Sequence, residues 1–406
     1  MAASIAVPLP RAQDPIRAPL SRAKVERSRF YRPELDILRF FAFLAVFFHH
    51  SLPGFELTHH SGPILFLLHV ENSLKEAGGF GVCLFFLLSA YLITELLERE
   101  RRNVGSIHVR SFYARRILRI WPLYFLFLFG AVLLGLAVHS YRVEPHRIWA
   151  FLLLAGNWYV ASTSCGGSPI APLWSISVEE QFYLSWPWIA KGGRSLMFWL
   201  SLTLLPIAWL TLFGMSHGTS PNRTIWVNSF VQFQFFAFGA LLALGFKSRL
   251  PQLKPILRVA LVSGGVFSWI IVSGIFRIKD DLASPTGPCL IAGYTVVALG
   301  CILLFVGFLG ARIPFSSPLA YLGKISYGLY VFHMLAIDLA WKVFASNAHS
   351  ELGAAGTTWK LGVRFLEIQV VAMFITILLA SISYRVLERP FLRLKGRFTF
   401  VKSRFD

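Results

Sequence analysis

Charged residues are scarce in this chain: they make up 15% of its 406 residues, whereas hydrophobic residues make up 55%. This composition excludes a soluble globular fold, because a soluble protein of this size has too little interior to hide so much apolar surface. The apolar residues also fall into long uncharged runs, such as residues 121–138 and 195–213. Runs of that length predict transmembrane helices, with the lipid bilayer as the main solvent of the chain.

Cysteine is also rare, with four residues at positions 83, 165, 289 and 301. They form no CxxC pair, so neither a zinc site nor a disulfide framework is indicated, and we expect no metal cofactor. We interpret them as small membrane residues. We likewise expect no cleavable signal sequence, because residues 1–35 are rich in Pro and Arg and lack an apolar core.

Ten segments are apolar and long enough to cross a bilayer. They cover residues 36–53, 79–97, 118–138, 172–190, 195–215, 225–246, 257–276, 288–310, 325–344 and 363–386. An eleventh apolar stretch, residues 148–160, is short and contains Gly156 and Asn157, so we interpret it as a re-entrant or interfacial segment. The predicted fold class is therefore an all-α polytopic membrane bundle of about ten helices.

Basic residues cluster on one side of these spans. With the amino terminus inside, the inner segments hold 28 of the 39 Lys and Arg residues, the outer segments hold seven, and four lie within spans. The net charge of +19 therefore indicates orientation, with both termini cytoplasmic, rather than a nucleic-acid partner. We expect a disordered basic cytoplasmic tail (residues 1–30), a membrane domain (31–391) and a second basic cytoplasmic tail (392–406).

The first span carries ionisable side chains, each of which costs about 2.5 to 3.5 kcal/mol to insert. Arg39 and His50 are eleven positions apart, so on an α-helix they differ by about 20° in direction and about 16 Å in height. Both are predicted to face one cavity, whereas His49 points about 100° away from His50. Asp36 can pair with Arg39. Alternatively, Arg39 reaches the headgroups and the histidines lie at the outer interface.

Two adjacent carboxylates, Glu179 and Glu180, lie near the middle of the fourth span, in WSISVEEQFYLSWP. Carboxylates at that depth are not expected to face lipid. Consecutive helical residues diverge by about 100°, so one of the two is predicted to face the cavity and the other a neighbouring helix. Which one faces the cavity is open, and a structural ion pair inside the bundle is the alternative.

The segment FYARRILRIWP, between the second and third spans, places Arg115, Arg116 and Arg119 at the predicted cytoplasmic mouth. Arg116 and Arg119 share one helical face. Two guanidiniums on one face suit phosphate groups, because each can donate paired hydrogen bonds to phosphate oxygens. Ordinary anchoring of basic residues at the inner surface is the alternative.

Polar residues also recur in the ninth span, within ISYGLYVFHML. Tyr327, Tyr330 and His333 follow one another at three-residue spacing, and Ser326 lies beside them. This stripe predicts a lining for the same interior. An interfacial aromatic belt is the alternative for the tyrosines, although His333 lies too deep in the span to belong to one.

Together these motifs resemble the family-3 membrane acyltransferases, bacterial O-acyltransferases that modify surface polysaccharides and peptidoglycan. The similarity runs from Tyr31 to Phe391. The matching segments, in the family's order, are YRPELDILRFFAFLAVFFHHS, GVCLFFLLSAYLIT, FYARRILRIWP, WSISVEEQFYLSWP, ISYGLYVFH and LERPF. The resemblance implies an enzyme of the cell inner (plasma) membrane that moves an acyl group, expected to be acetyl, from acyl-CoA to a hydroxyl of a carbohydrate or glycolipid.

The resemblance also implies roles for individual residues. Arg39 and His50 match residues taken as essential, and the eleven-residue spacing selects His50 over His49. Arg116 and Arg119 match a motif linked to the acyl-CoA donor, with Arg115 beside them. Glu179 and Glu180 match the glutamates of V-E-E-Q-F-Y, and are expected to be catalytic with Arg39 and His50. The remaining cavity residues are expected to be Asp36, Ser89, Tyr183, Ser326, Tyr327, Tyr330 and His333.

One segment departs from the family pattern. The family usually reads L-S-G-F-L-I-T, whereas this chain has Ala90 and Tyr91 in place of the glycine and the phenylalanine. The side chain at position 90 puts close backbone packing at that point in question.

The implied chemistry makes His50 the general base that takes the proton of a sugar hydroxyl, because imidazole titrates near neutral pH. Glu179 or Glu180 would orient it. The runner-up is a transporter or flippase, since charged residues inside a helical bundle are also typical of substrate pathways. Release of free CoA in the presence of a saccharide discriminates the two. Acceptor choice is expected to lie in the predicted outer loops, residues 51–78, 139–171 and 277–287.

Overall fold

A computed structural model describes residues 31–52, 62–163, 168–217, 222–247, 250–279, 285–313, 316–348 and 358–399. Within these ranges the chain forms helices and no strands. The α-helices are α1 (Pro33–Ser51), α2 (Gly62–Gly78), α3 (Gly81–Val104), α4 (Val109–Ala137), α5 (Pro145–Leu152), α6 (Gly156–Ser162), α7 (Trp174–Lys191), α8 (Arg194–Ser216), α9 (Asn222–Val227), α10 (Ser229–Phe246), α11 (Pro255–Ile271), α12 (Gly287–Phe308), α13 (Ser316–Lys324), α14 (Ser326–Ala348), α15 (Thr358–Ser383) and α16 (Arg389–Lys395). Short π-helical turns, Val272–Phe276 and Tyr384–Glu388, extend α11 and α15.

Seven of the described segments are long and apolar enough to cross a membrane. They are Leu65–Val104, Val109–Ala137, Arg194–Ser216, Ser229–Phe246, Pro255–Phe276, Gly287–Phe308 and Arg364–Phe398. Three further helices, α1, α7 and α14, coincide with predicted spans but contain ionisable residues and are not among the seven. The protein is thus an all-helical membrane protein with seven candidate spanning helices, while the count of ten and the cytoplasmic termini stay predictions.

The structure adds detail to the sequence-based organisation in three segments. Part of the predicted outer loop 51–78 forms the helix α2. The short apolar stretch 148–160 falls in α5 and α6, which are separated near Leu154, a residue with a positive φ of 56°. The predicted span 225–246 is broken at Asn228, because its side chain accepts a 2.9 Å hydrogen bond from the backbone N–H of Phe230 and caps α10.

The predicted tails fall mostly beyond the described residues. Residues 1–30 and 400–406 lie outside them. Residues 392–399 instead continue the folded part, as the end of α16 and a 3₁₀ turn, Gly396–Phe398, that lies beside α4.

Two close helix contacts position the interior. A side chain at Gly323 of α13 would collide with the backbone carbonyl of Asp36, so α13 lies directly against the first turns of α1. Similarly, a side chain at Gly239 of α10 would collide with the carbonyl of Leu87 and reach within 3.0 Å of the Ala90 Cβ. The close packing questioned at Ala90 is therefore present, because the opposite helix supplies the glycine.

Candidate active site

A cavity of about 690 Å³, including its open part, lies between α1, α3, α4, α7 and α14. Each of these helices contributes residues that the sequence singled out. They are Arg39, Ser89, Arg116, Arg119, Glu179, Tyr183, Ser326, Tyr327 and Tyr330. Apolar side chains, including Phe85 and Phe86, complete the wall. The fold therefore brings segments that are far apart in the sequence to one space.

Glu179 is the carboxylate that lines this cavity. Its Oε1 accepts hydrogen bonds from the hydroxyls of Ser89 and Tyr183. The guanidinium of Arg116 lies 4.9 Å from the centre of the Tyr183 ring, a distance typical of a cation–π contact. These contacts join α3, α4 and α7 through polar groups at the cavity wall.

Glu180 has different surroundings from its neighbour. It is not among the cavity-lining residues, and its Oε2 accepts a 3.3 Å hydrogen bond from the indole N–H of Trp121 on α4. Its other oxygen, Oε1, is buried and has no hydrogen-bond partner in the described part of the chain. Of the two carboxylates, Glu179 thus faces the cavity and Glu180 faces the neighbouring helix.

A second pocket, the mouth pocket, adjoins the cavity at the start of α4 and has a volume of about 500 Å³ including its open part. Arg116 and Arg119 line both spaces. Arg115 lines only the mouth pocket, where its guanidinium donates to Glu100 Oε2 at 2.8 Å and to the Phe398 carbonyl at 2.7 Å. The mouth pocket is therefore basic, and two of its arginines continue into the interior.

Arg39 and His50 lie in different places, contrary to the prediction that both face one cavity. Arg39 lines the cavity and forms a 3.5 Å ion pair with the buried Asp36. His50 lies at the other end of α1, is exposed, and is not part of the cavity wall. Eleven residues of helix correspond to about 16 Å, so the two side chains lie too far apart to act on one small group at the same time.

The hydrogen bonding of His50 defines which nitrogen can act as a base. Its Nδ1 lies 2.9 Å from the Val46 carbonyl, which can only accept, so Nδ1 carries the proton in the neutral ring. The lone pair is then on Nε2. Among the described residues Nε2 has no hydrogen-bond partner, so it is open to a molecule from outside the bundle.

A two-residue layer, Tyr330 and His333 of α14, separates His50 from the cavity. Tyr330 lines the cavity, where its hydroxyl bonds to Ser175 at 2.7 Å, and its ring lies 5.4 Å from the His333 ring. The His333 ring lies in turn 5.1 Å from that of His50. His333 is fully buried and donates from Nδ1 to the Tyr330 carbonyl at 2.5 Å, while its Nε2 has no partner in the described chain.

Comparison with known proteins shows which family the chain belongs to. A family model described as an acyltransferase domain matches residues 32–385. The chain belongs to this acyltransferase family. It is 26% identical over 396 residues to the peptidoglycan O-acetyltransferase OatA of Listeria monocytogenes, a match that covers 92% of this chain and 58% of the relative. No solved structure matches the chain.

Two further relatives of this acyltransferase have similar names. The putative peptidoglycan O-acetyltransferase YrhL of Bacillus subtilis is 27% identical over 399 residues, covering 92% of this chain and 57% of the relative. A putative O-acetyltransferase of Staphylococcus aureus (strain COL) is 26% identical over 353 residues, covering 80% and 55%. The chain thus spans somewhat more than half the length of these curated relatives.

The acyltransferase also contains a buried cation that the sequence did not point to. Lys279 follows the π turn after α11, and its Nζ lies 3.0 Å from His49 Nε2 and 3.5 Å from Glu76 Oε2. His49 Nδ1 in turn donates to the Lys75 carbonyl at 2.9 Å, so both ring nitrogens of His49 have partners. Burial lowers the pKa of Lys279, whereas Glu76 opposes that shift.

Lys279 therefore links His49 to the α2–α3 region. Of the two histidines, His50 is the one whose Nε2 has no hydrogen-bond partner among the described residues. In the sequence Lys279 lies two residues after Arg277 in a predicted outer loop, and nothing in its spacing indicates burial. Only its contacts with Trp226, 4.9 Å from the ring centre, and with Glu76 show that it lies inside the protein.

In the part of the chain that the structure describes, no group of three or more His, Cys, Asp or Glu residues could hold a metal ion. Cys83 and Cys301 are buried and Cys289 is half-buried, whereas Cys165 lies outside the described residues. The candidate site is thus built from carboxylate, guanidinium, hydroxyl and imidazole groups.

Proposed function

We propose that this protein transfers an acyl group, expected to be acetyl, from acyl-CoA to a hydroxyl of a carbohydrate or glycolipid at the cell inner membrane. Membership of the acyltransferase family supports the reaction class. The names of the relatives, O-acetyltransferases, support acetyl and a glycan acceptor. The observation that carries the proposal is that Arg116 and Arg119 line both the basic mouth pocket and the buried cavity.

The mouth pocket has the chemistry that the phosphates of CoA require. Arg115, Arg116, Arg119 and Lys395 line it. Guanidiniums bind phosphate with paired, charge-assisted hydrogen bonds, and ammonium groups bind it as point charges. With the phosphates at the mouth, the uncharged pantetheine arm would enter the cavity past Phe85 and Phe86, whose apolar surfaces suit it.

Within the cavity, Arg39 and Glu179 have separate tasks in this proposal. The Arg39 guanidinium, oriented by Asp36, donates hydrogen bonds to the carbonyl oxygens of the acyl-CoA arm. Glu179 holds the hydroxyls of Ser89 and Tyr183 in fixed directions toward the same space. The thioester would thereby be bound and oriented before it meets the acceptor, which lowers the entropic part of the barrier.

The base in the proposed reaction is His50. Its Nε2 lone pair takes the proton of the acceptor hydroxyl as the oxygen attacks the thioester carbonyl carbon. When the C–S bond breaks, the sulfur of CoA leaves and recovers a proton from the His50 imidazolium, so the neutral imidazole is restored. The products are an O-acyl ester and CoA with a free thiol. The exposure of His50 lets an acceptor reach it from outside the bundle.

The acyl group has to pass the layer formed by Tyr330 and His333. Direct transfer requires a movement of this layer that lets the thioester reach His50. A covalent route would instead place the acyl group on His333 Nε2, with CoA leaving, before the acceptor oxygen takes it. Both routes use the same donor site and the same acceptor side, so they are two variants of one proposed function.

The test uses the purified full-length protein with acetyl-CoA and a panel of saccharides. We expect free CoA thiol to exceed one equivalent per protein only when an acceptor is present, together with a saccharide heavier by one acetyl group in mass spectrometry. A protein that moves saccharide across vesicles while leaving acetyl-CoA intact would be a transporter and would contradict the proposal. Radiolabel retained on the protein after rapid quenching without acceptor would identify the covalent route.

A further inference from the structure

A third pocket, the C-terminal basic pocket, lies between α13 and the turn that leads into α16. Its volume is about 640 Å³ including its open part. The lining residues are Tyr321, Lys324, Tyr384, Arg385, Arg389, Leu392 and Arg393. Four of these are cations. The helix α16 lies between this pocket and the mouth pocket, since Lys395 of the same helix lines the mouth pocket instead.

Within the part of the chain that the structure describes, the four cations of the C-terminal basic pocket have no acidic partner. Among the described residues, no carboxylate lies within ion-pair distance of Lys324, Arg385, Arg389 or Arg393. Glu388, on the same turn, is buried and bonds to Ser383 at 3.4 Å. Like charges gathered around one pocket repel one another, so a bound anion would stabilise the arrangement.

Apolar side chains exposed beside the pocket show what kind of surface it adjoins. Ile382, at the end of α15, is 50% exposed, and Val386, on the turn that carries Arg385, is 73% exposed. Leu394 is 43% exposed next to Arg393. On a membrane protein, exposed apolar side chains of a spanning helix face lipid. The pocket therefore opens at the boundary between a basic surface and the lipid-facing side of α15.

We propose that the C-terminal basic pocket binds the phosphate headgroup of an anionic phospholipid. Arg385, Arg389, Arg393 and Lys324 contact the phosphate, and the tyrosine hydroxyl of Tyr321 lies at the headgroup level typical of interfacial aromatics. The acyl chains lie along the exposed apolar face of α15. Bound lipid thereby holds α13 and α16 at a fixed distance on either side of the pocket.

Two features separate this site from the proposed donor site. The C-terminal basic pocket shares none of its lining residues with the mouth pocket or with the buried cavity. It also adjoins exposed apolar residues, whereas the mouth pocket leads inward. The proposal is therefore independent of the acyl-transfer reaction.

The test measures lipid binding by the purified full-length protein in neutral detergent. Short-chain phosphatidylglycerol, phosphatidylcholine with the same chains, and CoA are titrated separately, with binding followed by native mass spectrometry and by the thermal midpoint. We expect phosphatidylglycerol to bind more tightly than phosphatidylcholine. The double variant Arg389→Gln/Arg393→Gln is expected to lose about tenfold or more in phosphatidylglycerol affinity, as removal of two surface cations predicts.

Arg397→Gln is the matched control, because Arg397 is exposed on the adjoining 3₁₀ turn and lines none of the three pockets. It is expected to keep the preference for phosphatidylglycerol. If the double variant has a lower thermal midpoint without lipid, Lys324→Gln on the opposite wall repeats the test. An unchanged preference in these pocket variants, or displacement of phosphatidylglycerol by CoA, overturns the proposal.

Discussion

Two sets of helices in this protein meet different surroundings. In α8 and in the α11 segment, 22% of the most apolar stretch of 18 residues is buried inside the protein, so lipid covers most of their surface. By contrast, α1, α7 and α14 carry most of the site residues, including the buried Asp36, Ser175 and His333. Lipid solvates the apolar set, whereas side chains of the polar set form hydrogen bonds and ion pairs inside the bundle, such as Ser175 with Tyr330 and Asp36 with Arg39.

Hydropathy thus detects the lipid-facing helices but overlooks three of the five helices that line the cavity, α1, α7 and α14. The ionisable residues that lower the hydropathy of α1 and α7 include Arg39 and Glu179, which line the cavity. In a bilayer each such residue costs free energy unless a partner or a hydrated space compensates. Changes in the two sets of helices are therefore expected to have very different consequences.

The largest effect is expected from His50→Ala. In the proposed reaction Nε2 of His50 accepts the proton of the acceptor hydroxyl, so without it kcat is expected to fall by about 10²- to 10⁴-fold. The measurement is CoA release by purified protein, with expression and thermal midpoint as checks on folding. His49→Ala is the comparison and is expected to be milder, and the reverse order of severity would show that His49 is the base.

Next in size is the effect of Arg116→Gln and Arg119→Gln. In the proposed donor site each change removes charge-assisted hydrogen bonds to the CoA phosphates, worth about 1.5 to 3 kcal/mol, so KM for acyl-CoA is expected to rise roughly tenfold to a hundredfold. The rate at saturating donor is expected to change less. Arg110→Gln, on an exposed residue of the same helix outside both spaces, serves as control. An equal rise in KM there would indicate general surface electrostatics.

The adjacent carboxylates Glu179 and Glu180 allow a cavity-facing residue to be compared with one that faces a neighbouring helix, both within α7. Glu179→Gln weakens the acceptor of the Ser89 and Tyr183 hydroxyls at the cavity wall, and we expect kcat/KM for acyl-CoA to fall about tenfold. Glu180→Gln keeps an acceptor for Trp121 and is expected to change kcat/KM less than threefold, within about 0.6 kcal/mol. Equal losses of kcat/KM in the two variants would mean that the direction in which each carboxylate points has no effect on the reaction.

A smaller effect, on stability, is expected from Lys279→Met. The change leaves His49 Nε2 and Glu76 without their cation, and loss of these contacts is expected to lower the free energy of unfolding by about 1 kcal/mol. The lower free energy of unfolding is measured as a lower thermal midpoint of the purified protein. Lys75→Met is the control, because the Lys75 side chain forms no ion pair within the described residues. No difference between the two variants would contradict the role of Lys279.

The smallest effect is expected on the lipid-facing helices. Leu136 of α4 is 80% exposed, so Leu136→Ala exchanges one lipid-facing apolar residue for another and is expected to change stability by less than about 0.5 kcal/mol. Thermal midpoint and CoA release together test this. A loss of stability as large as that caused by truncating a buried aromatic residue would show that protein, rather than lipid, covers Leu136.

Much of the fold was predictable from the sequence, because spans are long apolar runs bounded by basic segments. All ten predicted spans overlap helices, including α7 in spite of its two glutamates. Breaks were harder to place. Asn228 caps α10 and divides a predicted span, and residues 62–78 form α2 rather than a loop, because local hydrogen bonds and packing decide such boundaries.

Nine of the predicted site residues line one cavity, while their roles stay predictions, and the geometry was less predictable. Helical periodicity predicted that Arg39 and His50 point in similar directions from α1. It does not show which side chains of neighbouring helices lie between the cavity and His50. In the structure these side chains are Tyr330 and His333. Lys279 could not have been found, because its burial results from contacts with α1 and α2 that leave no periodic pattern in the sequence.

By itself the sequence determined that the chain lies in a membrane as a helical bundle and which of its residues are too polar for lipid. Both follow from the free energy of transfer between water and hydrocarbon, a property of each residue and its near neighbours. Only the tertiary structure decided that Glu179 rather than Glu180 lines the cavity, that Arg116 and Arg119 join it to the mouth pocket, and that a layer of two side chains separates it from His50. Each of these features depends on distances between residues that are remote in the chain, and the packing of whole helices determines those distances.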